Sequence, residues 1–285
     1  MFNRNNLKKI VNQTSPGINR ILGYFCAMKF IDTHTHLYLD EFNNDRNEVV
    51  EAAIKEGVQT MLLPNIDSET IEEMNNLSKA FPANCFPMMG LHPTSVKENY
   101  EQELEIVKQE LENGNYKAVG EIGIDLYWDK TFREQQIDAF RTQLKLAKKY
   151  KLPVSIHTRD SFQDAYPIVK EELTDDLKGV FHCFLGTLEE AKKIMDIGFL
   201  MGIGGVVTFK KALIAEVVKD IPAESLVFET DAPFLTPVPY RGKRNQSAYI
   251  KYIAEKTALI KGVPIEEIAA ITTDNALNLF NLKTA

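Results

Sequence analysis

Short apolar runs alternate with longer amphipathic segments over most of this chain. Phe140, Leu144 and Ala147, for example, recur at intervals of four and three residues, which places them on one face of a helix. Eight apolar runs predict strands at residues 29–32, 60–63, 85–90, 118–121, 154–157, 180–182, 199–202 and 226–229. Helical spacing predicts helices at residues 45–56, 68–80, 100–111, 132–150, 162–173, 188–197, 212–218, 247–260 and 264–280.

Eight predicted strands that each precede a helix indicate the α/β class and, within it, a (β/α)8 TIM-like barrel. The strands of such a barrel are buried on both faces, so they should be continuous apolar runs, as most of these are. An open doubly wound sheet is the alternative architecture. The loops are short and no low-complexity linker occurs, so residues 28–285 are expected to form one domain.

The first 27 residues have a different character from the rest. Residues 1–13 are polar and basic, a Pro-Gly pair follows, and the apolar piece before Met28 is too short for a good signal peptide. We expect residues 1–27 to be a disordered extension or to lie upstream of the natural start at Met28. The intact mass of the natively expressed protein distinguishes these two cases.

Composition narrows the class of protein. No apolar stretch approaches the roughly 20 residues that span a bilayer, and three cysteines without a C-x-x-C pair fit a reducing, cytoplasmic location. No membrane association and no obligate protein partner are expected. A net charge of −7 argues against broad coating of duplex nucleic acid. Two local basic clusters, at residues 210–211 and 241–244, could still contact a few phosphates.

All five histidines follow predicted strands, where a parallel α/β fold gathers its functional groups. His34 and His36 form an H-x-H pair whose side chains point the same way in an extended segment, so they can bind one ion together. Each of these histidines alone is more often a structural residue than a ligand. The other three are His92, His157 and His182.

Two carboxylates complete a candidate metal site at the carboxyl ends of the strands. Glu121 ends the fourth predicted strand between two glycines, and Asp231 follows the eighth. Each could otherwise be a helix cap or a surface charge. Together with four histidines they exceed the needs of one ion and predict two divalent cations bridged by a carboxylate. Asp231 could also take a proton from the attacking water.

Other residues near these strand ends are candidates for substrate contact. Arg159 could bind a phosphate oxygen or form an ion pair with Asp160. Tyr127 and Trp128 could stack on a base or pack in the core. His92 is interpreted as a residue outside the main ligand set that supports a ligand or contacts phosphate.

Two neighbouring features have simpler interpretations. Cys183 should face away from His182 on its strand, as a buried core thiol. The glycines at residues 202–205 could offer backbone N–H groups to an anion or form a tight turn.

Taken in order, these motifs resemble those of the TatD-like metal-dependent deoxyribonucleases, within the amidohydrolase-like superfamily of barrel metallohydrolases. The resemblance runs from about Met28 to the C-terminus. The matching segments are IDTHTHL at 31–37, GLHP at 90–93, GEIGID at 120–125, PVSIHTRD at 153–160, HCFLG at 182–186, ETDAPFLTP at 229–237 and RGKRN at 241–245. One departure is Gln246-Ser247, where the family has Glu-Pro, which bears on substrate choice in that loop.

The resemblance implies hydrolysis of DNA phosphodiester bonds from the 3′ end of single strands, with one or two divalent metals. One metal would be held by His34, His36, Glu121 and Asp231, and the second by Glu121, His157 and His182. Catalysis would depend on Asp231, which orients or deprotonates water, and on Glu121. The candidates for substrate phosphate are His92, Arg159 and Arg244.

Metal identity and the bond that is cleaved stay open. Nitrogen-rich donors favour Zn, Mn or Ni, whereas the resemblance implies activity with Mg. The same centre could hydrolyse an amide, a lactone or the ester of an aminoacyl-tRNA. A non-enzymatic binding protein on the same barrel would be expected to have lost a ligand, and none is missing.

Overall fold

The computed structural model describes residues 28–282, so the prediction for residues 1–27 lies outside the described part of the chain. Parallel strands alternate with helices throughout. The strands are β1 Phe30–Asp32, β2 Val58–Pro64, β3 Cys85–Met88, β4 Val119–Asp125, β5 Val154–Arg159, β6 Gly179–Phe181, β7 Leu200–Ile203 and β8 Leu226–Phe228. The helices are α1 Arg46–Lys55, α2 Ile71–Ala80, α3 Tyr100–Asn113, α4 Arg133–Tyr150, α5 Phe162–Glu172, α6 Leu188–Asp196, α7 Leu213–Asp220, α8 Ile250–Lys261 and α9 Ile265–Leu279.

The eight strands follow one another around a closed ring. Regular pairing joins consecutive strands into two sheets, one with the order β1-β2-β3 and the other with the order β4-β5-β6-β7-β8. Hydrogen bonds bridge the two gaps: Met89 N donates to Ala118 O at 3.1 Å between β3 and β4, and Thr33 N donates to Phe228 O at 3.0 Å between β1 and β8. An open sheet would leave β1 and β8 apart, so the predicted (β/α)8 barrel is confirmed.

Burial follows the hydrophobic pattern. Strand β2 is apolar on both faces, and Met61, Leu62 and Leu63 are all fully buried in it. Helix α4 buries one stripe that includes Phe140 and Leu144 and exposes the opposite face. No helix between residues 28 and 282 has both the length and the apolar character that crossing a bilayer requires.

Strand β4 is longer than the sequence pattern predicts. It continues past Glu121 to Asp125, so the prediction that Glu121 ends its strand is wrong. Gly123 makes this continuation possible, because its φ is +142° and a Cβ atom there would lie 2.0 Å from the carbonyl oxygen of His157. Glu121 therefore projects from within β4, beside the paired strand that carries His157.

Candidate metal centre

The segments that follow β1 and β8 are joined by a dense set of hydrogen bonds. The buried Asp32 carboxylate accepts from Thr230 N at 2.9 Å and from Thr230 Oγ1 at 2.6 Å. Asp231 N donates to His34 O at 2.9 Å. These bonds fix the H-x-H pair against the Asp231 segment, although about 200 residues separate the two in sequence.

One group of donor atoms lies around Oε2 of the Glu121 carboxylate. The Nε2 atoms of His34 and His36 are 3.2 Å apart and lie 3.0 and 3.5 Å from Glu121 Oε2. Asp231 Oδ1 lies 3.9 and 3.6 Å from the same two nitrogens. The structure thus brings together the four side chains that the resemblance assigned to the first metal.

A second group forms around the other oxygen of the same carboxylate. Glu121 Oε1 lies 2.8 Å from His157 Nδ1 and 2.7 Å from His182 Nε2. These two nitrogens are 3.2 Å apart. Glu121 is almost fully buried, so its two oxygens face two sets of imidazole nitrogens with little access to solvent.

In His36 and His157, the partner of the ring nitrogen that faces away from Glu121 (the outer nitrogen) determines whether the nitrogen that faces Glu121 (the inner nitrogen) carries a proton in the neutral ring. Tyr38 Oη donates its only proton to Pro64 O, so it must accept from His36 Nδ1 at 3.0 Å. Asp125 Oδ2 can only accept, and it lies 2.9 Å from His157 Nε2. In its neutral form each ring therefore directs an unprotonated nitrogen towards Glu121, as metal-binding histidines do.

His92 lies closer to the ligand set than the sequence predicted. Unlike His36 and His157, it directs a protonated ring nitrogen towards Glu121. Its Nε2 is 3.2 Å from Glu121 Oε1. Its Nδ1 accepts a hydrogen bond from Thr94 N at 3.1 Å, so the ring proton is on Nε2. Burial lowers the pKa of His92, which favours this neutral form. His92 thus donates to Glu121 and is poorly suited to bind a metal there.

Glu229 is a functional candidate that the sequence analysis missed. It is fully buried, its Oε1 accepts from Cys183 N and it lies 3.6 Å from His182 Nδ1. Its Oε2 has no hydrogen-bond partner within the described residues. A Cβ atom at Gly202 would lie 2.1 Å from that oxygen, so the glycine makes room for the carboxylate. The sequence did offer a signal for Glu229, because this acidic residue ends the apolar run at 226–229, two residues before Asp231.

Burial and neighbouring charges give the two central carboxyls different acidities. Burial raises the pKa of Glu121, but the surrounding imidazoles, His182 first, outweigh burial and hold it well below its usual range. Burial raises the pKa of Asp231 to about 6. Glu121 therefore stays ionised, whereas Asp231 can exchange a proton near neutral pH.

These donor groups fit divalent ions. Three groups of residues could each hold an ion, because the ligand atoms within each group lie within 4.8 Å of one another. The groups are His34 with His36 and Glu121, His34 with His182 and Asp231, and His92 with Glu121 and His157. The tautomer of His92 argues against the third group. A cation would also satisfy the lone pair that neutral His36 directs towards Glu121, and imidazole-rich donors suit Zn and other transition metals.

The metal centre opens into a cavity of about 1070 Å³. Arg159 lines it and stacks on Tyr127, with its guanidinium carbon 3.8 Å from the ring centroid. The alternative ion pair with Asp160 is absent from the ion pairs of residues 28–282. Trp128 is 72% exposed, so the core-packing interpretation of this residue is wrong.

The structure also locates three other residues that the sequence analysis singled out: Cys183, Arg244 and Ser247. Cys183 lines the cavity and is only partly buried, because β6 ends at Phe181 and strand alternation does not extend to it. Arg244 donates to both oxygens of Asp45, at 2.9 and 2.6 Å, and is not among the cavity-lining residues. Ser247, at the family's proline position, is buried and lies 3.3 Å from Thr35 Oγ1 within the H-x-H segment. Arg244 is therefore paired with Asp45 outside the cavity, and its contact with substrate phosphate stays a prediction.

Comparisons with known proteins agree with this site. The model of the TatD-related DNase family matches residues 31–281. YabD of Bacillus subtilis, described as an uncharacterized metal-dependent hydrolase, is 40% identical over 88% of this chain and 98% of its own length. YcfH of Escherichia coli, described in the same way, is 33% identical over 90% of this chain and 97% of its own length.

Solved structures show the same relationship in three dimensions. YjjV, a TatD homolog from Escherichia coli, superposes with a TM-score of 0.85 at 30% identity, covering 90% of this chain and all of that one. A TatD family hydrolase from Entamoeba histolytica superposes with a TM-score of 0.78 at 26% identity, covering 90% of this chain and 99% of that one. The chain therefore belongs to the TatD-related DNase family of metal-dependent hydrolases.

Proposed function

We propose that the protein is a divalent-metal-dependent deoxyribonuclease that removes nucleotides from the 3′ end of single-stranded DNA. The observation that carries this proposal is the division of Glu121 between two groups of donor atoms, with Oε2 towards the H-x-H pair and Oε1 towards His157 and His182. A carboxylate shared in this way is typical of two-metal hydrolases.

The donors divide between two metals in the proposal. His34, His36, Glu121 and Asp231 hold the first, and Glu121, His157 and His182 hold the second. When bound, the two divalent ions supply Lewis acidity and neutralise charge on the phosphate. Magnesium, manganese and zinc are the candidates, with the imidazole content favouring a transition metal.

The remaining chemistry belongs to side chains of this chain. Asp231 orients the attacking water and accepts its proton, because its carboxylate lies beside the H-x-H pair at the edge of the cavity. His92, through its Nε2 proton, keeps Glu121 in place. Arg159 binds a phosphate oxygen through its N–H groups.

The availability of Arg159 favours a phosphodiester over a neutral amide or ester. Arg159 has no carboxylate partner among the ion pairs of residues 28–282, so its charge is available to an anionic substrate. A neutral carbonyl substrate, such as an amide or a lactone, would use the same water and metals but would need no such cation, whereas the ester of an aminoacyl-tRNA carries phosphates that Arg159 could also bind. This ester is therefore the alternative to be tested beside DNA.

A time course on 3′- and 5′-labelled single-stranded DNA, with Mg²⁺ or Mn²⁺, tests the proposal. We expect stepwise shortening from the 3′ end, complete loss with EDTA and a loss of about 10²–10⁴-fold in Asp231→Asn. Asp196→Asn, an exposed carboxylate of α6, is the matched control and should retain activity. Hydrolysis of aminoacyl-tRNA without any cleavage of DNA would contradict the proposal.

A further inference from the structure

We infer that Tyr127 and Trp128, together with Arg159, hold one unpaired nucleobase of the substrate beside the metal centre. We call these three residues the aromatic arm. The inference rests on the proposed nuclease function and names the recognition element of that same site. It also gives a structural reason for a single-stranded substrate.

The two aromatic side chains of the arm are exposed to solvent. Trp128 is 72% exposed and Tyr127 is 52% exposed. Their ring centroids are 4.8 Å apart and the rings are nearly perpendicular, at 88°. Large aromatic side chains at the edge of a cavity are costly to expose to water unless they serve binding. The arrangement leaves the Trp128 ring accessible to a flat ligand.

Backbone hydrogen bonds fix the aromatic arm relative to the metal centre. Tyr127 N donates to Asp125 Oδ1 at 3.0 Å, and the other oxygen of Asp125 holds the ring of His157. Leu126 N donates to Arg159 O at 2.9 Å. One carboxylate therefore positions both a candidate metal ligand and the arm, so a base on the arm would lie in the same cavity as the candidate metal ligands.

Arg159 gives the aromatic arm its affinity for a phosphate. Its guanidinium carbon lies 3.8 Å from the Tyr127 centroid and 5.2 Å from the Trp128 centroid. Stacking holds the guanidinium plane while its N–H edges can still donate. Within residues 28–282, no other lysine or arginine lines the cavity, and the remaining charged residues there apart from histidine are acidic: Glu121, Asp125, Asp160, Glu190 and Asp231.

Two further apolar side chains of the cavity contribute to the site for a base. Leu185 and Phe234 line the same cavity and are about half exposed. An apolar slot with one cation fits a nucleotide whose base is unstacked, since base–aromatic stacking tolerates any sequence. A base within a duplex is already stacked on both sides, so the arm selects a single strand.

The chain offers a direct reporter, because Trp128 is its only tryptophan. The metal-loaded protein is titrated with a phosphorothioate-linked ten-nucleotide thymidine strand and with an abasic strand of equal length and charge. We expect quenching of the tryptophan emission by the first strand alone, and at least 5-fold weaker binding of the abasic strand. Equal affinity for both strands, without a fluorescence change, would overturn the inference.

Variants separate base recognition from folding and from the nuclease proposal. Trp128→Ala should raise KM for normal single strands about 5- to 150-fold, which corresponds to the 1–3 kcal/mol of one base–aromatic stack. Its kcat/KM for the abasic strand should be unchanged. Trp128→Phe should restore most of the loss, and Leu213→Ala, an exposed apolar residue of α7, should change neither value.

The possible failures are distinguishable. Cleavage of normal and abasic strands with the same KM would remove the inference and leave the nuclease proposal intact. Quenching by base-containing strands without cleavage of any DNA would remove the nuclease proposal and support base recognition. A change in molecular mass on light scattering of Trp128→Ala would show that the arm joins copies of the chain, and this would overturn the inference.

Discussion

At the scale of single residues, the partner of the outer ring nitrogen decides what each histidine does. His36 and His157 donate outward, to Tyr38 and to Asp125, and so present a lone pair to Glu121 when the ring is neutral. His92 accepts outward from Thr94 N and so presents a proton. Three histidines that look alike in the sequence therefore have two different roles.

This difference predicts separate outcomes for two alanine variants. His157→Ala should lose a metal and nearly all activity, because a ligand of the second group is gone. His92→Ala should keep the metal content of the wild type but lose about 10- to 100-fold in kcat, as is usual for groups that orient a ligand. Metal analysis beside steady-state kinetics checks both. Loss of metal from His92→Ala to the extent seen in His157→Ala would refute the assigned tautomer.

Residue types and spacing predicted the members of the site better than their roles. The H-x-H pair, Glu121, His157, His182 and Asp231 all come together as expected. The position of His92 depends on its bond with Thr94, and the pairing of Arg244 depends on Asp45 in a distant helical segment. The Arg244 contact is set by tertiary packing, which neither spacing nor composition encodes, whereas the His92 tautomer is set by a local bond from a backbone N–H.

At the scale of elements, β4 and β5 fix the distance between Glu121 and His157. Gly123 pairs with His157 across these strands and allows their close approach. The sequence placed the end of β4 at Glu121 because a glycine after an apolar run usually marks a turn. Here the strand continues through Gly123, because the close approach of the His157 carbonyl requires a residue with a positive φ and no side chain.

Gly123→Ala should therefore damage both stability and metal binding. We expect the free energy of unfolding to fall by more than about 2 kcal/mol, because the new Cβ adds a clash with His157 O to an unfavourable positive φ. Gly198→Ala is the matched control, since Gly198 also has a positive φ but nothing lies within 4 Å of its Cβ. It should cost about 1–2 kcal/mol and leave metal affinity unchanged.

Urea unfolding followed by circular dichroism, and manganese titration of the folded proteins, compare the two variants. Equal losses of stability in both, together with wild-type metal affinity in Gly123→Ala, would show that the close approach of β4 and β5 does not determine the site.

At the scale of the whole molecule, barrel closure creates the metal centre. The hydrogen bond between Thr33 N and Phe228 O joins the first strand to the last, and only then do His34 and Asp231 become neighbours. The eight-strand pattern predicted this closure, because helices between parallel strands leave few other topologies. A site assembled from distant segments in this way should couple metal binding to the stability of the entire fold.

Metal binding is accordingly expected to raise the melting temperature. At a concentration 100-fold above its Kd, one bound ion adds about 2.7 kcal/mol. For a chain of this size, that corresponds to about 5–10 °C. Differential scanning fluorimetry of EDTA-treated protein with and without Mn²⁺ measures the shift, and His34→Ala should show a smaller one. An equal shift in wild type and His34→Ala would mean that the stabilising ion binds elsewhere.

The most direct test of the central claim is to restore metal to stripped protein while DNA cleavage is followed. If Glu121 joins two metals in one hydrolytic centre, cleavage of single-stranded DNA should be absent without metal and reach its maximum at two equivalents of Mn²⁺. The same titration of Glu121→Gln should restore little activity. DNA cleavage by the stripped protein, or full restoration of Glu121→Gln, would contradict the account.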